Sequence, residues 1–298
     1  GHIAEKFTQD LLLAENSVLK GVASRNIEKA AGFATKYNSE KYYGSYEELA
    51  KDAGIDIVYI ATPHVFHYEN TMLCLQNNKA VLCEKPFGIN KHEVKTMIDL
   101  AKSKNLFIME AIWTRFIPAF KQIYDFINDG KIGPILSIEA DFGFMANNSP
   151  EGRLFHRNLG GGSLLDIGIY PVYLAILLLG IPYKIEAKAK IINGVDASCD
   201  IKFNYPNLAN AYLSSTFLAN TKNVAIITGE NGKIIIHKHF HHPTLFTLEG
   251  NNGEIQNYKT DYDGNGYVHE IRNVNQDLLL GAQENLLMST EMSLKLID

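Results

Sequence analysis

Lys85 stands between Glu84 and Pro86 at the end of the apolar run Ala80-Val81-Leu82-Cys83, and Asp166 and Tyr170 stand well downstream, four residues apart. An amine, a phenol and a carboxyl are the parts of a proton-transfer site. A phenol has an ordinary pKa of about 10. It exchanges its proton near neutrality only beside positive charge, which favours the phenolate. A lysine ammonium supplies that charge. Such a pair suits hydride chemistry at a carbinol carbon, where the oxygen needs one positioned proton. At a spacing of four, Asp166 and Tyr170 share one face of a regular helix, and the carboxylate there can orient a substrate hydroxyl or Lys85. Taken singly, Lys85 reads as a solvated loop lysine and Tyr170 as a core tyrosine; the setting decides between these readings.

That setting is a regular alternation of strands and helices. Strand patterns cover 17–23, 41–43, 56–61, 79–83 and 106–109, with helix patterns at 26–37, 46–53, 66–77 and 91–103 between them. Ser45 and Asn90 are the expected caps of the helices that follow them. Alternation of this kind makes an α/β Rossmann-type parallel sheet domain, assigned to residues 1–113. Ligands of such sheets sit outside the carboxyl ends of the strands, where Lys85 falls.

Gly1-His2-Ile3-Ala4 opens a helix with Ile3, Phe7, Leu11 and Ala14 at helical spacing. A glycine at a helix mouth followed by βαβ is half of a dinucleotide fingerprint. With Gly1 as its second glycine and Ala4 as the third small position, the first strand is expected to lie before residue 1. The next strand ends in Ser24-Arg25, where an NAD site usually carries a carboxylate for the ribose hydroxyls. A hydroxyl and a guanidinium suit a 2′-phosphate instead, so NADP is the expected cofactor, with NAD possible. Ser24 also has an ordinary reading as a helix cap.

After Gly130 the pattern shifts to a period of two. Strands are expected at 135–142, 183–192, 197–205, 208–217, 223–228 and 232–236, separated by turn signals such as Asn193-Gly194. One long helix, 162–179, interrupts them, and helices close the chain after Tyr267. The expectation for 114–298 is an α+β domain on a large, mostly antiparallel open sheet. A broad open sheet needs cover, so a homodimer or homotetramer through that sheet is expected. The glycine-rich entry Leu159-Gly160-Gly161-Gly162-Ser163 lets backbone approach a ligand, and the segment from Met145 to His156 is expected to shape a pocket.

Composition limits the alternatives. The 298 residues are 46% hydrophobic and 20% charged with a net charge of −5, which leaves no basic footprint for nucleic acid. The three cysteines read as reduced core residues of a cytoplasmic protein. The apolar stretch 167–181 carries Gly168 and Pro171 and reads as a buried core helix, so no membrane partner is expected. His237, His239 and His241 would share one face of a strand, but no acidic or cysteine ligand flanks them, and no metal site is assigned.

These motifs together give the chain its likeness to a known family. It resembles the Gfo/Idh/MocA oxidoreductases through Gly1-His2-Ile3-Ala4, Ala61-Thr62-Pro63-His64 with His67, Glu84-Lys85-Pro86, Asp166-Ile167-Gly168-Ile169-Tyr170, and Gly266-Tyr267 with Glu270. Cys83 to Gly88 and Glu110 to Phe116 look most like its dihydrodiol dehydrogenase branch. The resemblance implies that Tyr170 is the proton donor, assisted by Lys85. It implies nicotinamide near Lys85 in a cleft lined by Thr62, Pro63 and His64. His67, Glu84, Gly1, His2, Ile3, Ser24 and Arg25 complete the cofactor set. Trp113, Arg115, Phe142 and Arg157 are candidates for the substrate wall, Trp113 equally for domain packing. Many sugar and inositol dehydrogenases of the family carry histidine where this chain has Tyr170, which argues against an inositol-type enzyme. The implied activity is hydride transfer between nicotinamide and a secondary alcohol or carbonyl of a small sugar, polyol or cyclic diol. The alternative is a non-catalytic nucleotide sensor on the same fold.

Overall fold

Helix starts follow local side-chain chemistry. The side chains of Asn26, Ser45 and Asn90 accept from backbone N–H groups three residues on, at 2.9, 3.2 and 2.9 Å, each satisfying a donor that a helix start leaves unpaired. In a computed structural model of the chain, which describes residues 1–147 and 152–298, the first elements are α1 (His2–Leu11), β1 (Gly21–Ala23), α2 (Ile27–Tyr37), β2 (Lys41–Tyr43), α3 (Tyr46–Lys51), β3 (Ile57–Ile60), α4 (His67–Gln76), β4 (Ala80–Glu84), α5 (Lys91–Ser103) and β5 (Ile108–Ala111). Ser24 is not the cap of α2; Asn26 is, and the Ser24 hydroxyl accepts from the Asn26 N–H at 3.2 Å.

All these strands pair in parallel, but as two sheets, β2-β1 and β3-β4-β5. Val22 and Ala23 of β1 face Val58 and Ile60 of β3 across the gap between the two sheets. β4 is buried along its whole length. Val81 and Cys83 pack with Leu75, Val94, Met97 and Ile98 in one core, which holds the strand end rigidly.

The second run comprises α6 (Pro118–Asn128), β6 (Ile135–Gly143), α7 (Ile169–Leu179), β7 (Lys184–Ile192), β8 (Val195–Asn204), β9 (Asn210–Thr216), β10 (Ala225–Gly229), β11 (Gly232–Ile236), β12 (Leu245–Gly250) and β13 (Ile255–Lys259). They form an eight-stranded sheet in the order β13-β12-β11-β10-β6-β9-β8-β7, antiparallel except for the β6–β9 pair. This is the large, mostly antiparallel sheet read from the sequence, extended by the β12–β13 hairpin that the sequence reading lacked. The stretch Arg157–Leu179 is long and apolar enough to cross a membrane by composition, yet 72% of its most apolar 18-residue window is buried. α7 packs on β6 and β9 as a core helix.

Two helices close the chain, α8 (Tyr267–Leu279) and α9 (Thr290–Ile297). The chain forms two compact units, residues 1–116 with 262–298, and residues 117–261. The sequence reading left 262–298 with the second domain. The physical reason for the difference is long-range: α8 lies on α1 and α9 on α5. The fully buried Asp10 of α1 also accepts from the N–H groups of Asn265 and Val268 at 2.8 and 3.1 Å, capping α8 from outside its own sequence.

Candidate functional site

In the first unit, β4 carries Glu84 to the edge of its sheet and Lys85 into the loop beyond, followed by the cis Lys85–Pro86 bond. The loop is tied down by polar groups on several sides. The Tyr59 hydroxyl of β3 donates to Glu84. His67 is fully buried, with Nδ1 2.7 Å from the Pro86 carbonyl oxygen and Nε2 2.8 Å from that of Thr62. It therefore links the loops after β3 and β4 through backbone. This is a supporting position rather than the cofactor contact expected from sequence. His64, also buried, sits edge-on to it at 5.7 Å.

Three carboxyl groups are buried around this loop: Glu84, Glu110 and Glu270. Burial, then the neighbouring Glu84, push the Glu270 carboxyl well above the ordinary carboxylate range. Neither of its oxygens has a hydrogen-bond partner among the described residues, so the neutral acid is the form that burial tolerates. Burial pushes Glu110 up to about 7. Tyr59 is also raised, by burial first and by Glu84 next.

Of the cofactor candidates, Gly1, Ser24, Thr62 and Pro63 border the gap between the two parallel sheets, as does Ala4; His2, Ile3, Arg25, His64, His67, Glu84 and Lys85 are not among its lining residues. A helix of ten residues begins after Gly1 with free amide donors, suited to a phosphate. Arg25 lies with its guanidinium 5.4 Å from the Phe66 ring centroid, which holds it at the end of β1. These features fit a dinucleotide: the start of α1 would hold a phosphate, and Ser24 and Arg25 would face a ribose or its phosphate. His2 and Ile3, in the first turn of α1, are exposed.

Trp113 and Arg115 lie in a 3₁₀ turn after β5 and are buried. The indole stacks on Tyr267 at 4.4 Å and 9°, so packing within the first unit accounts for much of its surface.

In the second unit, the expected helix 162–179 is not uniform. A π-helical turn, Leu164–Gly168, precedes α7, and it carries Asp166. Single π turns inside helices often mark functional sites. The turn is fixed by Asp196, which accepts from the Ser163 hydroxyl at 2.9 Å and from the Leu164 N–H at 2.7 Å. Gly162 has φ +124, and a Cβ there would stand 2.3 Å from Asp196 Oδ1, so only glycine fits. Asp166 is paired with Arg153 at 3.1 Å. Arg157, a substrate-wall candidate from the sequence, is exposed and lies beside Gly194 of the β7–β8 turn. The i, i+4 argument linking Asp166 to Tyr170 assumed a regular helix, and the pair in fact spans the π–α junction.

Tyr170 is buried at the start of α7. Its ring lies 5.8 Å from Phe142 of β6 and 5.0 Å from His241, and Phe142 and His241 stack at 4.3 Å. His241 was set aside in the sequence reading because it lies far from Tyr170 along the chain. The strand expected through 237–242 is a loop between β11 and β12, with His239 in the left-handed region at φ +69. Burial and Lys238 lower the His239 pKa. Among the described residues no group of three metal-ligating side chains forms. Aromatic character at 240–242 was the only sequence signal for this cluster. Residues 148–151, within the segment expected to shape the pocket, lie outside the described residues.

Comparison with known proteins bears on both units. Residues 1–111 match the oxidoreductase family described as GFO/IDH/MocA with an NAD-binding Rossmann fold, and residues 120–235 match the GFO/IDH/MocA C-terminal domain. The trans-1,2-dihydrobenzene-1,2-diol dehydrogenase of Xenopus tropicalis is 35% identical over 312 residues, covering 99% of this chain and 94% of its own. The mouse enzyme of the same name is 37% identical over 296 residues, covering 96% and 88%. Among solved structures, a 3-ketoreductase from Actinomadura kijaniata in complex with NADP and TDP-benzene has a TM-score of 0.88 at 23% identity, covering 100% of this chain and 92% of its own. Levoglucosan dehydrogenase in complex with NADH and levoglucosan has a TM-score of 0.90 at 21% identity, with the same coverage. At such identities the two structures speak for the fold.

Proposed function

The chain belongs to the GFO/IDH/MocA family of oxidoreductases, which carry an NAD-binding Rossmann fold, and on that premise we propose that it is an NADP-preferring dehydrogenase or reductase of secondary alcohols. The substrate class is a small cyclic diol, polyol or sugar, the first favoured by relatives named for a cyclic trans-diol. The observation that carries the reading is that each unit holds its reacting side chain on a buried, fixed element: Lys85 at the end of the fully buried β4, and Tyr170 at the buried start of α7.

NADP, when bound, accepts or supplies the hydride. Tyr170 takes the substrate hydroxyl proton on oxidation and returns it on reduction. Lys85 supplies the positive charge that makes a phenol competent for this near neutral pH. Asp166, paired with Arg153, orients a substrate hydroxyl. Phe142 and His241 form a flat wall beside the phenol that suits the face of a ring substrate. Ser24 and Arg25 take the place of the carboxylate that would favour NAD.

Three buried free cysteines support a cytoplasmic setting. Ile185 and Ile191, exposed on the edge strand β7, support association of copies through the large sheet.

The test is fluorescence titration with NADPH and NADH, followed by an absorbance screen over diols, sugars and dicarbonyls. Tight NADPH binding with turnover is the expected result. Replacing Arg25 with alanine is expected to weaken NADPH about tenfold and NADH little. Binding without turnover across the panel would favour a sensor. Equal affinity for the two nucleotides would remove the NADP preference.

A further inference from the structure

The peptide unit between Pro86 and Phe87, which follows directly on Lys85-Pro86, is gripped at both ends by ionisable side chains. Its carbonyl oxygen meets Nδ1 of His67 at 2.7 Å, and its N–H donates to Oε1 of Glu110 at 2.9 Å. The other ring nitrogen of His67 meets the Thr62 carbonyl oxygen at 2.8 Å. The His67 ring therefore bridges the loops after β3 and β4 from one side of this peptide. On the far side of the same peptide stands Glu110, 2% exposed, its second oxygen without a hydrogen-bond partner among the described residues.

Burying a carboxyl is costly, and the Ser293 hydroxyl and the Phe87 amide are groups that favour its ionised form. Here it grips an amide two residues beyond Lys85. Glu110 sits near the end of β5, in register with Cys83 of β4, so it reaches the loop from the strand beside the one that carries the lysine. The bond ties the loop to the sheet at the point where the chain leaves it.

We propose that Glu110 is the positioning residue for Lys85: by holding the Phe87 amide against the end of β5, it sets the direction in which the loop presents the lysine. This rests on the reading of Lys85 as half of the catalytic pair. The groups facing Glu110 are Cys83, Glu84 and Lys85 from β4 and its loop, the Ser293 hydroxyl from α9, and His67 across the peptide. Burial keeps the Cys83 thiol far above its ordinary pKa, hence neutral. Burial raises Glu110 to about 7, so its charge changes near neutrality. As it ionises, its hold on the amide becomes charge-assisted and stronger.

Glu110→Ala and Glu110→Gln separate the possibilities. Hydrogen exchange resolved at the Phe87 amide reports the grip directly, with the amides of Val81 and Ile98 as controls for global loosening. In the alanine variant Phe87 is expected to exchange about tenfold faster while the controls hold, and kcat is expected to fall about tenfold. The glutamine variant keeps an acceptor, so it is expected to retain the protection and most of the kcat at pH 8. It is also expected to lack the inflection near pH 7 that Glu110, raised to about 7 by burial, is expected to give the parent. Unchanged Phe87 exchange in the alanine variant overturns the proposal. So does faster exchange shared by the controls, which would mark a merely structural role. A glutamine variant with the parent's pH profile removes the titration. The exchange measurement needs no turnover, so it judges the grip even if the proposed activity fails on every substrate.

Discussion

The loop that carries Lys85 and the helix that carries Tyr170 are fixed by opposite means. Around Lys85 the contacts are polar and ionisable: Tyr59 on Glu84, His67 on two carbonyl groups, and Glu110 on an amide. Around Tyr170 rings pack, Phe142 and His241, and the π turn ahead of it is held by Asp196 and depends on a residue without a side chain. The difference teaches that one half of the proposed site responds to proton activity and the other to volume. Substitutions should separate the two.

The largest effect is expected at the phenol itself. Tyr170→Phe removes one oxygen from a packed ring, so the fold should stand while kcat falls about 10²- to 10⁴-fold. Steady-state rates beside an NADPH titration check this; full activity in the variant would sink the proposed mechanism.

Gly162→Ala tests the dependence on shape. It sets a Cβ against Asp196 at a backbone angle of +124° and should cost about 2–4 kcal/mol, read from a denaturant midpoint. An unchanged midpoint would mean that the π turn can relax.

Glu110→Gln tests the dependence on charge. The folded pKa of about 7 lies above the ordinary 4.5, so the folded state holds the proton more tightly than the unfolded chain. The contribution to stability is complete below pH about 4.5 and is lost as the pH rises through about 7, by at most about 3 kcal/mol. The parent should therefore lose stability across that window relative to the glutamine variant, measured by melting at a series of pH values. Parallel curves would contradict the pKa.

The smallest effect is expected at Asn90, which caps α5 just beyond the lysine loop. Asn90→Ala should cost about 1 kcal/mol with little change in turnover. A large loss of turnover would mean that the loop depends on the helix behind it more than on Glu110.

Much of this was legible in the chain itself. The alternation of apolar runs with helical spacing fixed the fold class, because burial of one face imposes a period of two or of 3.6 on the sequence. Ser45 and Asn90 were readable as caps because a cap acts over three residues. Lys85 and Tyr170 were readable as candidates because their motifs are contiguous. Arg153 reaches Asp166, and His241 reaches Tyr170; these pairings depend on how separate segments fold back.

What the sequence determined by itself, then, was everything governed by neighbours along the chain: element types, helix starts and the residue types of the site. Only the tertiary structure decided that α8 and α9 belong with the first unit, capped from α1 by Asp10. It alone decided that His67 turns inward to hold backbone, and that Glu110 of β5 grips the loop after β4. Those outcomes depend on hydrogen bonds between groups far apart in sequence. A donor buried by folding takes whichever acceptor the packing brings to it, and no local pattern records which one that will be.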